Sequence, residues 1–198
     1  KNSNIDIMIA PQRRFSYGYV NFLNFLNKIG DPFFIECKYS ISIDNPHEGW
    51  RGDSSIAGGG CLIDMGYHMI DLILWYFGLP DEVIANYSHK AVDKAYDTED
   101  TFVAMFEYIE KEIYGSLTVS RVFPPKTEII KVAGSLGCAE IGRAYAKLYD
   151  QSGKILEEYE FDKSWTESIV SKMQYFCDVI DKTRSNIYTA KEHMGHMA

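Results

Sequence analysis

The chain has 198 residues, 46% of them hydrophobic, which suits the core of one domain and leaves little room for a second. Its formal net charge is -8 and it has no run of lysine or arginine, which excludes a nucleic-acid-binding surface or a patch for anionic membranes. It has neither a long uninterrupted apolar stretch nor a basic segment followed by an apolar one, so the sequence predicts no membrane span and no export signal.

The four cysteines, Cys37, Cys61, Cys138 and Cys177, lie far apart and form no C-x-x-C pair. We expect reduced thiols and a cytoplasmic protein. The chain begins at Lys1 beside the strand-like "IDIMIA" and stops within the helical pattern of "TAKEHMGHMA". We therefore expect residues 1–198 to form a single domain that is a fragment of a longer chain.

The spacing of apolar residues predicts a strand at 5–10, an amphipathic helix over 17–30 and a strand over 32–43. A polar loop at 44–60 follows, and loops of this length inside compact domains are often functional. A buried helix over 61–77, a series of short strands between 82 and 161, and a helix over 164–185 complete the pattern. The apolar face predicted for the last helix comprises Ile169, Met173, Phe176, Val179 and Ile180.

Helices that flank a run of strands, without regular β-α-β alternation, indicate an α+β fold. We predict an open, mostly antiparallel β-sheet with helices packed on one face. The chain is rich in tyrosine and phenylalanine, and such residues on the uncovered face would suit subunit packing. We therefore expect a homo-oligomer that forms through the open sheet.

The predicted helix 61–77 carries ionisable groups among apolar residues. Asp64, His68, Asp71 and Trp75 are spaced i, i+4, i+7 and i+11, which places them along one side of a helix. An imidazole beside a carboxylate is a common general-base arrangement, and the alternative is a structural pair within the core. The preceding glycines, residues 58–60, would let the backbone enter the helix tightly and leave free N–H groups for a ligand.

A metal-dependent hydrolase is a weaker alternative. Two ligands at i and i+4 on a helix form a known zinc spacing, but H-E-x-x-H is absent. No spacing recommends a third ligand from Asp71, Cys61, His47 or His89, so we predict no metal site. Without a G-x-S-x-G motif or an obvious partner for its thiol, Cys61 is interpreted as helix packing.

A longer stretch carries a resemblance to a known family. "APQRRF", a helix ending at "KIG", and "GWRGDSSIAGGGCLIDMGYHMIDLILWYFGLPDEVIA" together resemble the C-terminal domain of the Gfo/Idh/MocA oxidoreductases. The pattern G-G-G-x-L-x-D-x-G-x-H-x-x-D, followed by W-x-x-G-x-P, is fairly specific, and the likeness is strongest from Gln12 to Ala85. The resemblance implies two-domain enzymes in which a Rossmann domain precedes an α+β domain that shapes the substrate site and mediates oligomerisation. This chain would be the second part, in agreement with its lack of G-x-G-x-x-G after a predicted strand.

The resemblance also implies roles for particular residues. Asp64 and His68 match the family's D-x-x-x-H pair, in which the histidine is the acid/base on the substrate and the aspartate orients it or binds a neighbouring hydroxyl. Gln12 matches a position facing the cofactor, and Arg14 a position in the substrate cleft, with a structural ion pair as the alternative for Arg14. Trp50 and Arg51 would line a sugar pocket or, alternatively, anchor a surface loop.

The sequence thus predicts the substrate-binding and acid/base half of an oxidoreductase that acts on a sugar, a polyol or a related substrate. NAD or NADP would be bound mainly by an N-terminal Rossmann domain, so this chain alone would be inactive. The competing hypothesis is a non-catalytic module for carbohydrate binding or oligomerisation. Asp71 either bonds to His68 or has a structural role, and we favour the structural role.

Overall fold

The computed structural model describes residues 7–89, 96–161 and 165–189. A 3₁₀ turn (Gln12–Phe15) leads into helix α1 (Tyr17–Leu26) and strand β1 (Pro32–Ser42). The polar loop contains a 3₁₀ turn (Gly49–Gly52) and the short helix α2 (Ser54–Ala57), and a π-helical turn (Leu62–Gly66) then opens helix α3 (Tyr67–Phe77). The remaining elements are β2 (Glu82–Ser88), β3 (Thr101–Tyr108), β4 (Ile113–Ser120), β5 (Val122–Gly134), β6 (Gly137–Gly142), β7 (Tyr145–Asp150), β8 (Ile155–Glu160) and helix α4 (Thr166–Ile180).

The eight strands form one sheet in the order β2-β3-β4-β1-β5-β6-β7-β8. Strand β1 pairs in parallel with β4, and every other neighbouring pair is antiparallel. The parallel pair requires a long connection, which the polar loop, α3 and the hairpin of β2 and β3 provide. The predicted α+β fold with an open, mostly antiparallel sheet is therefore confirmed.

Helices α1 and α3 lie on one face of this sheet and close the core. Alternate residues of each strand point toward the helices, such as Ile35 in β1 and Val132 in β5, both of which are fully buried. Phe22 in α1 and Leu72 in α3 are also fully buried. Burial of each such side chain contributes about 1.5–3 kcal/mol. The core thus fixes α3, and with it the residues of the predicted site, against the sheet.

The opposite face of the sheet remains open. In β2, β3 and β4 it presents large apolar side chains, with Ile84 77%, Met105 66% and Tyr114 51% exposed. Farther along the sheet this face carries cross-strand ion pairs, such as that of Lys131 with Glu140 at 3.7 Å. An apolar patch of this kind commonly marks an interaction surface.

Helix α4 buries a different face from the one predicted. Tyr175, Ser168 and Val179 are buried, whereas Ile169, Met173 and Ile180 are 45%, 52% and 54% exposed. The reason is that α4 packs beside the 3₁₀ turn at 12–15 instead of lying on the sheet, and the Tyr175 ring contacts Phe15. The spacing of apolar residues in α4 therefore predicted the helix correctly. It predicted the buried side wrongly, because of the predicted residues only Val179 is buried.

The first predicted strand is also wrong in its described part. Residues 7–10 have no regular structure, and the Ile9 N–H donates to the Tyr188 carbonyl instead of joining the sheet. Residues 5–6, residues 90–92 of the strand predicted to begin at 82, and the helical pattern at 190–198 lie outside the described residues. Among the described residues, no helix combines the length and the hydrophobicity that a membrane span requires.

Candidate active site

The glycine segment at 58–60 turns the chain into the helix that carries Asp64 and His68. Gly58 has φ +75°, in the left-handed region that favours glycine. At Gly60 a Cβ atom would clash with the backbone of Glu99, so the close approach of two backbone segments requires glycine there. This contact ties the start of the π-helical turn to the segment that precedes β3.

The N–H groups at this helix start are already bonded. The Glu99 carboxylate accepts from the N–H of Gly60 at 2.6 Å and of Leu62 at 2.9 Å, and the Glu99 carbonyl accepts from the N–H of Cys61 at 2.9 Å. The expectation that the glycines leave these groups free for a ligand is wrong, because a carboxylate from the chain itself fills the positive end of the helix. Cys61 is fully buried, and burial raises the pKa of its thiol to about 12, which fits a packing role.

Asp64 faces two arginines. Its Oδ2 atom lies 3.7 Å from Arg51 Nε and 3.9 Å from Arg121 Nη1. Arg121 lies at the junction of β4 and β5 with a side chain only 1% exposed, and it donates to the Glu99 carbonyl and the Thr98 hydroxyl. The Arg121 Nε atom is buried without a partner. The buried guanidinium of Arg121 therefore places a fixed positive charge beside Asp64, and the Asp64 carboxylate lines a cavity.

His68 is partly buried at the first turn of α3, and its ring lies 3.8 Å from that of Tyr67. Burial, and secondarily the charge of Arg13, lower the pKa of His68 to about 3. The imidazole is consequently neutral near pH 7 and has a nitrogen lone pair available to accept a proton or hydrogen bond. No hydrogen bond joins His68 to Asp64.

Two cavities meet at His68. The larger, of about 380 Å³, is also lined by Trp50, Arg51, Asp64, Tyr67 and Arg121, together with Ala57, Gly59, Gly60 and Ile63. The smaller, of about 140 Å³, is also lined by Gln12, Arg13, Tyr39, Lys126, Glu128, Arg143 and Trp165. The imidazole thus forms part of the wall of both cavities.

Arg13 is the buried cation of the smaller cavity. Its guanidinium donates from Nε to Glu128 Oε1 at 2.8 Å and lies 2.6 Å from the same oxygen through Nη2. The Tyr39 and Trp165 rings lie 5.6 and 5.2 Å from the guanidinium carbon. The Tyr19 hydroxyl also donates to Glu128 Oε1. This network holds Arg13 rigidly next to His68.

Arg14 forms the ion pair that was the alternative to its predicted substrate-binding role. It donates from Nε to Asp71 Oδ2 at 2.9 Å and from Nη2 to Asp71 Oδ1 at 2.8 Å, and its guanidinium carbon lies 5.5 Å from the Trp75 ring. Arg14 lines neither of the cavities that meet at His68. The predicted stripe therefore divides: Asp64 and His68 face the larger cavity, whereas Asp71 and Trp75 hold Arg14.

The structure brings four of the six predicted site residues to the larger cavity: Trp50, Arg51, Asp64 and His68. The side chain of Trp50 is 53% exposed, and the Arg51 guanidinium carbon lies 4.8 Å from its ring. Gln12 lines the smaller cavity and donates to the Ser168 hydroxyl at 3.3 Å.

In the described ranges, His, Cys, Asp and Glu side chains form no group of three that could hold a metal ion.

Sequence reasoning missed Arg13, Arg121, Lys126, Glu128 and Arg143. One of them carried a signal, because Glu128 falls in phase with Ile130 and Val132 on the buried face of β5. A carboxylate in register with core residues indicates a buried cationic partner. The motif "RRF" contains that partner. It is Arg13 that pairs with Glu128 and lines the cavity, whereas the predicted site residue was Arg14.

Solved structures with the same fold are oxidoreductases. An oxidoreductase from Agrobacterium radiobacter, in complex with NAD+, L-tartaric acid and magnesium, is 16% identical, with a TM-score of 0.74 over 98% of this chain and 60% of that one. The aldose-aldose oxidoreductase from Caulobacter crescentus, complexed with glycerol, is 18% identical, with a TM-score of 0.77 over 96% of this chain and 58% of that one. A levoglucosan dehydrogenase, in complex with NADH and levoglucosan, is 18% identical, with a TM-score of 0.78 over 92% of this chain and 59% of that one.

The chain spans only about 60% of the length of these structures. A comparison with curated protein sequences gave no match. The family model of the GFO/IDH/MocA C-terminal domain matches residues 26–140, which is more than half of the chain and includes Asp64 and His68. The chain therefore belongs to the GFO/IDH/MocA oxidoreductase family, as a C-terminal domain.

Proposed function

We propose that this domain is the substrate-binding and acid/base half of an NAD(P)-dependent oxidoreductase that acts on a sugar, a polyol or a related alcohol or carbonyl compound. The observation that carries the proposal is the neutral imidazole of His68 in the wall shared by two cavities that also hold charged side chains. A hydride leaves a carbinol carbon only as the hydroxyl proton is removed, so such an enzyme needs a proton acceptor beside the reacting carbon.

In this proposal His68 accepts the hydroxyl proton during oxidation and returns it during reduction. The Asp64 carboxylate, held between Arg51 and Arg121, accepts hydrogen bonds from neighbouring substrate hydroxyls. The exposed ring of Trp50 offers an apolar surface to the face of a sugar. His68 thus has the chemical role and Asp64 a positioning role, which agrees with the absence of a hydrogen bond between them.

A bound nicotinamide would supply the hydride acceptor or donor. Gln12 is the residue that we assign to the cofactor from this chain. Its amide lines the smaller cavity beside His68 and carries both a donor and an acceptor, which fits the carboxamide of a nicotinamide. The rest of the cofactor would bind a preceding Rossmann domain, and this chain alone would not turn over.

The proposal has two further parts. The open sheet face around Met105 and Ile84 would pack against a second copy of the chain, because large apolar side chains are exposed there. The free thiols of the four cysteines fit a reducing compartment, and we place the protein in the cytoplasm.

A second function has a specific observation in its favour. Asp64 does not contact His68, and a histidine with such a low pKa is a weak base unless a ligand raises it. A non-catalytic module that binds carbohydrate, or that serves only for assembly, would show the same features. The two functions differ in what happens to turnover when the imidazole is removed.

The test is turnover of the intact protein with NAD or NADP and a panel of sugars and polyols. We expect His68→Ala to lower kcat by about 100-fold or more, the usual loss when a general acid/base is removed. His89→Ala is the matched control, because His89 is exposed and lines neither cavity at His68. Normal turnover in His68→Ala would refute the proposal and leave the binding module as the better account.

A further inference from the structure

The smaller cavity at His68 contains positive charge that the described residues do not balance. Arg143 lies in the turn between β6 and β7, and its Nε atom is buried without a hydrogen-bond partner. Of the described residues, none forms an ion pair or hydrogen bond with the guanidinium of Arg143 or with the ammonium of Lys126. An arginine remains charged at any physiological pH, so a buried donor without a partner indicates a missing acceptor.

The other charges of this cavity are already paired. Arg13 and Glu128 form a short ion pair. Among the described residues that line this cavity, Arg143 and Lys126 therefore have no carboxylate partner, in a chain whose formal net charge is -8. The larger cavity is different, because Asp64 faces its two arginines. The smaller cavity therefore has the greater excess of positive charge, with three cationic side chains and one carboxylate against two and one in the larger cavity.

We propose that the smaller cavity binds an anionic group of the substrate, a carboxylate or a phosphate, with Arg143 and Lys126 as its ligands. The substrate class would then be polyhydroxy compounds with an acidic end, such as sugar acids or sugar phosphates. This inference rests on the proposed function and specifies its substrate.

The dimensions of the two cavities support this assignment. The smaller one, at about 140 Å³, suits a single acidic group, and the larger one, at about 380 Å³, suits the polyhydroxy part of the substrate. His68 lines both cavities. In a substrate that spans them, the part between the acidic end and the hydroxyl-rich end would therefore lie next to the imidazole. The carbon that loses the hydride would then be close to the acidic group.

An anion at this position also has a chemical consequence for His68. Apart from burial, the charge of Arg13 is what lowers the pKa of His68. A bound carboxylate or phosphate would place a negative charge near the imidazole and raise its pKa toward the range useful for proton transfer. Binding of the correct substrate would thus strengthen the base that acts on it.

The test compares ligand affinities of the intact protein by calorimetry at low salt and without cofactor. The probes are D-gluconate, D-glucose 6-phosphate, inorganic phosphate and the neutral D-glucitol. We expect at least one of the two anionic sugar derivatives to bind about tenfold or more tightly than D-glucitol, because charge-assisted hydrogen bonds to arginine are strong. Whichever derivative binds more tightly shows whether the cavity prefers a carboxylate or a phosphate. Binding of inorganic phosphate shows whether the anionic group alone is enough for binding.

Variants assign the effect to the cavity. We expect Arg143→Gln to lose about tenfold in affinity for the anionic sugar derivative and to leave D-glucitol binding unchanged, with Arg143→Lys intermediate. Lys126→Gln, at an exposed position on β5, gives a second reading if Arg143→Gln does not fold. The matched control is Arg184→Gln, an exposed arginine beside Tyr175 that lines neither cavity at His68.

Equal affinity for D-glucitol and both anionic derivatives, or anion binding that none of the cavity variants changes, would overturn the inference. Its failure is distinguishable from that of the proposed function, because the affinity comparison needs no turnover. A protein that oxidises a neutral polyol through His68, with a KM that Arg143→Gln leaves unchanged, would keep the function and lose the anion site.

Discussion

Asp64 and His68 line one cavity without a hydrogen bond between them, and the Asp64 carboxylate lies instead 3.7 Å from Arg51 Nε and 3.9 Å from Arg121 Nη1. The aspartate therefore does not orient the imidazole directly. In the proposed function it holds substrate hydroxyl groups in front of the buried cation Arg121. This separation of roles leads to different expectations for variants of the two residues.

Asp64→Asn should raise KM by about tenfold or more and lower kcat less, because the lost interaction is a substrate contact. The NMR titration of the His68 imidazole should change little, since burial and Arg13, not Asp64, lower its pKa. Steady-state kinetics of the intact protein and the imidazole resonances of His68 are the measurements. Asp181→Asn, at an exposed position after α4, is the control. A loss confined to kcat would contradict the positioning role.

His68 should make the stability of the fold depend on pH. The pKa of His68 is lowered from 6.5 to about 3, so the unfolded chain binds more protons than the folded chain between these values. The free energy of unfolding should therefore rise with pH across this window. Between pH 7 and pH 5, the contribution of His68 should lower it by about 1 to 2 kcal/mol.

Urea unfolding of the wild-type protein and of His68→Gln at both pH values isolates this contribution. Groups that titrate elsewhere, such as the buried His47, are common to both proteins and cancel in the comparison. The wild-type protein should lose more stability on acidification than the variant does. Equal losses in the two proteins would show that His68 is not held neutral by its surroundings.

Arg14→Met should destabilise the fold by about 2 kcal/mol or more, because it removes the arginine from a largely buried ion pair with Asp71. Lys28→Met is the matched control: its pair with Glu157 is about half exposed, and removing it should cost less than about 1 kcal/mol. Thermal or urea unfolding measures both changes. A rise in KM with unchanged stability would instead support the substrate-binding role that the sequence suggested for Arg14.

Gly60→Ala should cost about 3 kcal/mol or more, since the added methyl group meets the backbone of Glu99 and neither segment can move easily. Gly59→Ala is the control. Its methyl group comes closest to the Ile63 side chain, which is flexible and can shift, so it should cost about 1 kcal/mol or less. Unfolding measurements on the two variants compare them directly, and equal stability would mean that the glycine segment is not packed against Glu99.

Met105→Glu should dissociate the proposed oligomer, because it places a charge in the apolar part of the open sheet face. Ile187→Glu is the control, because Ile187 is 61% exposed but lies outside the sheet. Light scattering during size-exclusion chromatography gives the mass of each protein. A monomeric wild-type protein, or an oligomer that Met105→Glu leaves intact, would contradict assembly through this face.

Much of the fold follows from local pattern. Period-two alternation predicted the strands, because their odd and even residues face different surroundings, and the glycine at position 78 predicted the end of α3. The central position of β1, in parallel with β4, was not predictable, because strand order depends on contacts between residues distant in sequence. The same limit explains α4, whose buried side is set by the 3₁₀ turn at 12–15 and not by its own apolar period.

The site was predictable where one short segment carries it. Asp64 and His68 lie within a single motif, and both line the larger cavity. Arg121 and Arg143 come from strand junctions, and only the folded sheet brings them to the same place as His68. Which of Arg13 and Arg14 lines the cavity depends on how the 3₁₀ turn is rotated about its axis. Composition and spacing do not determine that rotation.

The most direct test of the central claim is rescue of His68→Ala by added imidazole, with hydride transfer followed by the absorbance of the reduced cofactor. The account predicts that the variant loses at least about 100-fold in rate and that imidazole, but not an equal concentration of a non-basic analogue, restores a substantial part of it. His89→Ala should need no rescue. Undiminished hydride transfer in His68→Ala without imidazole would contradict the claim that His68 is the acid/base of the reaction.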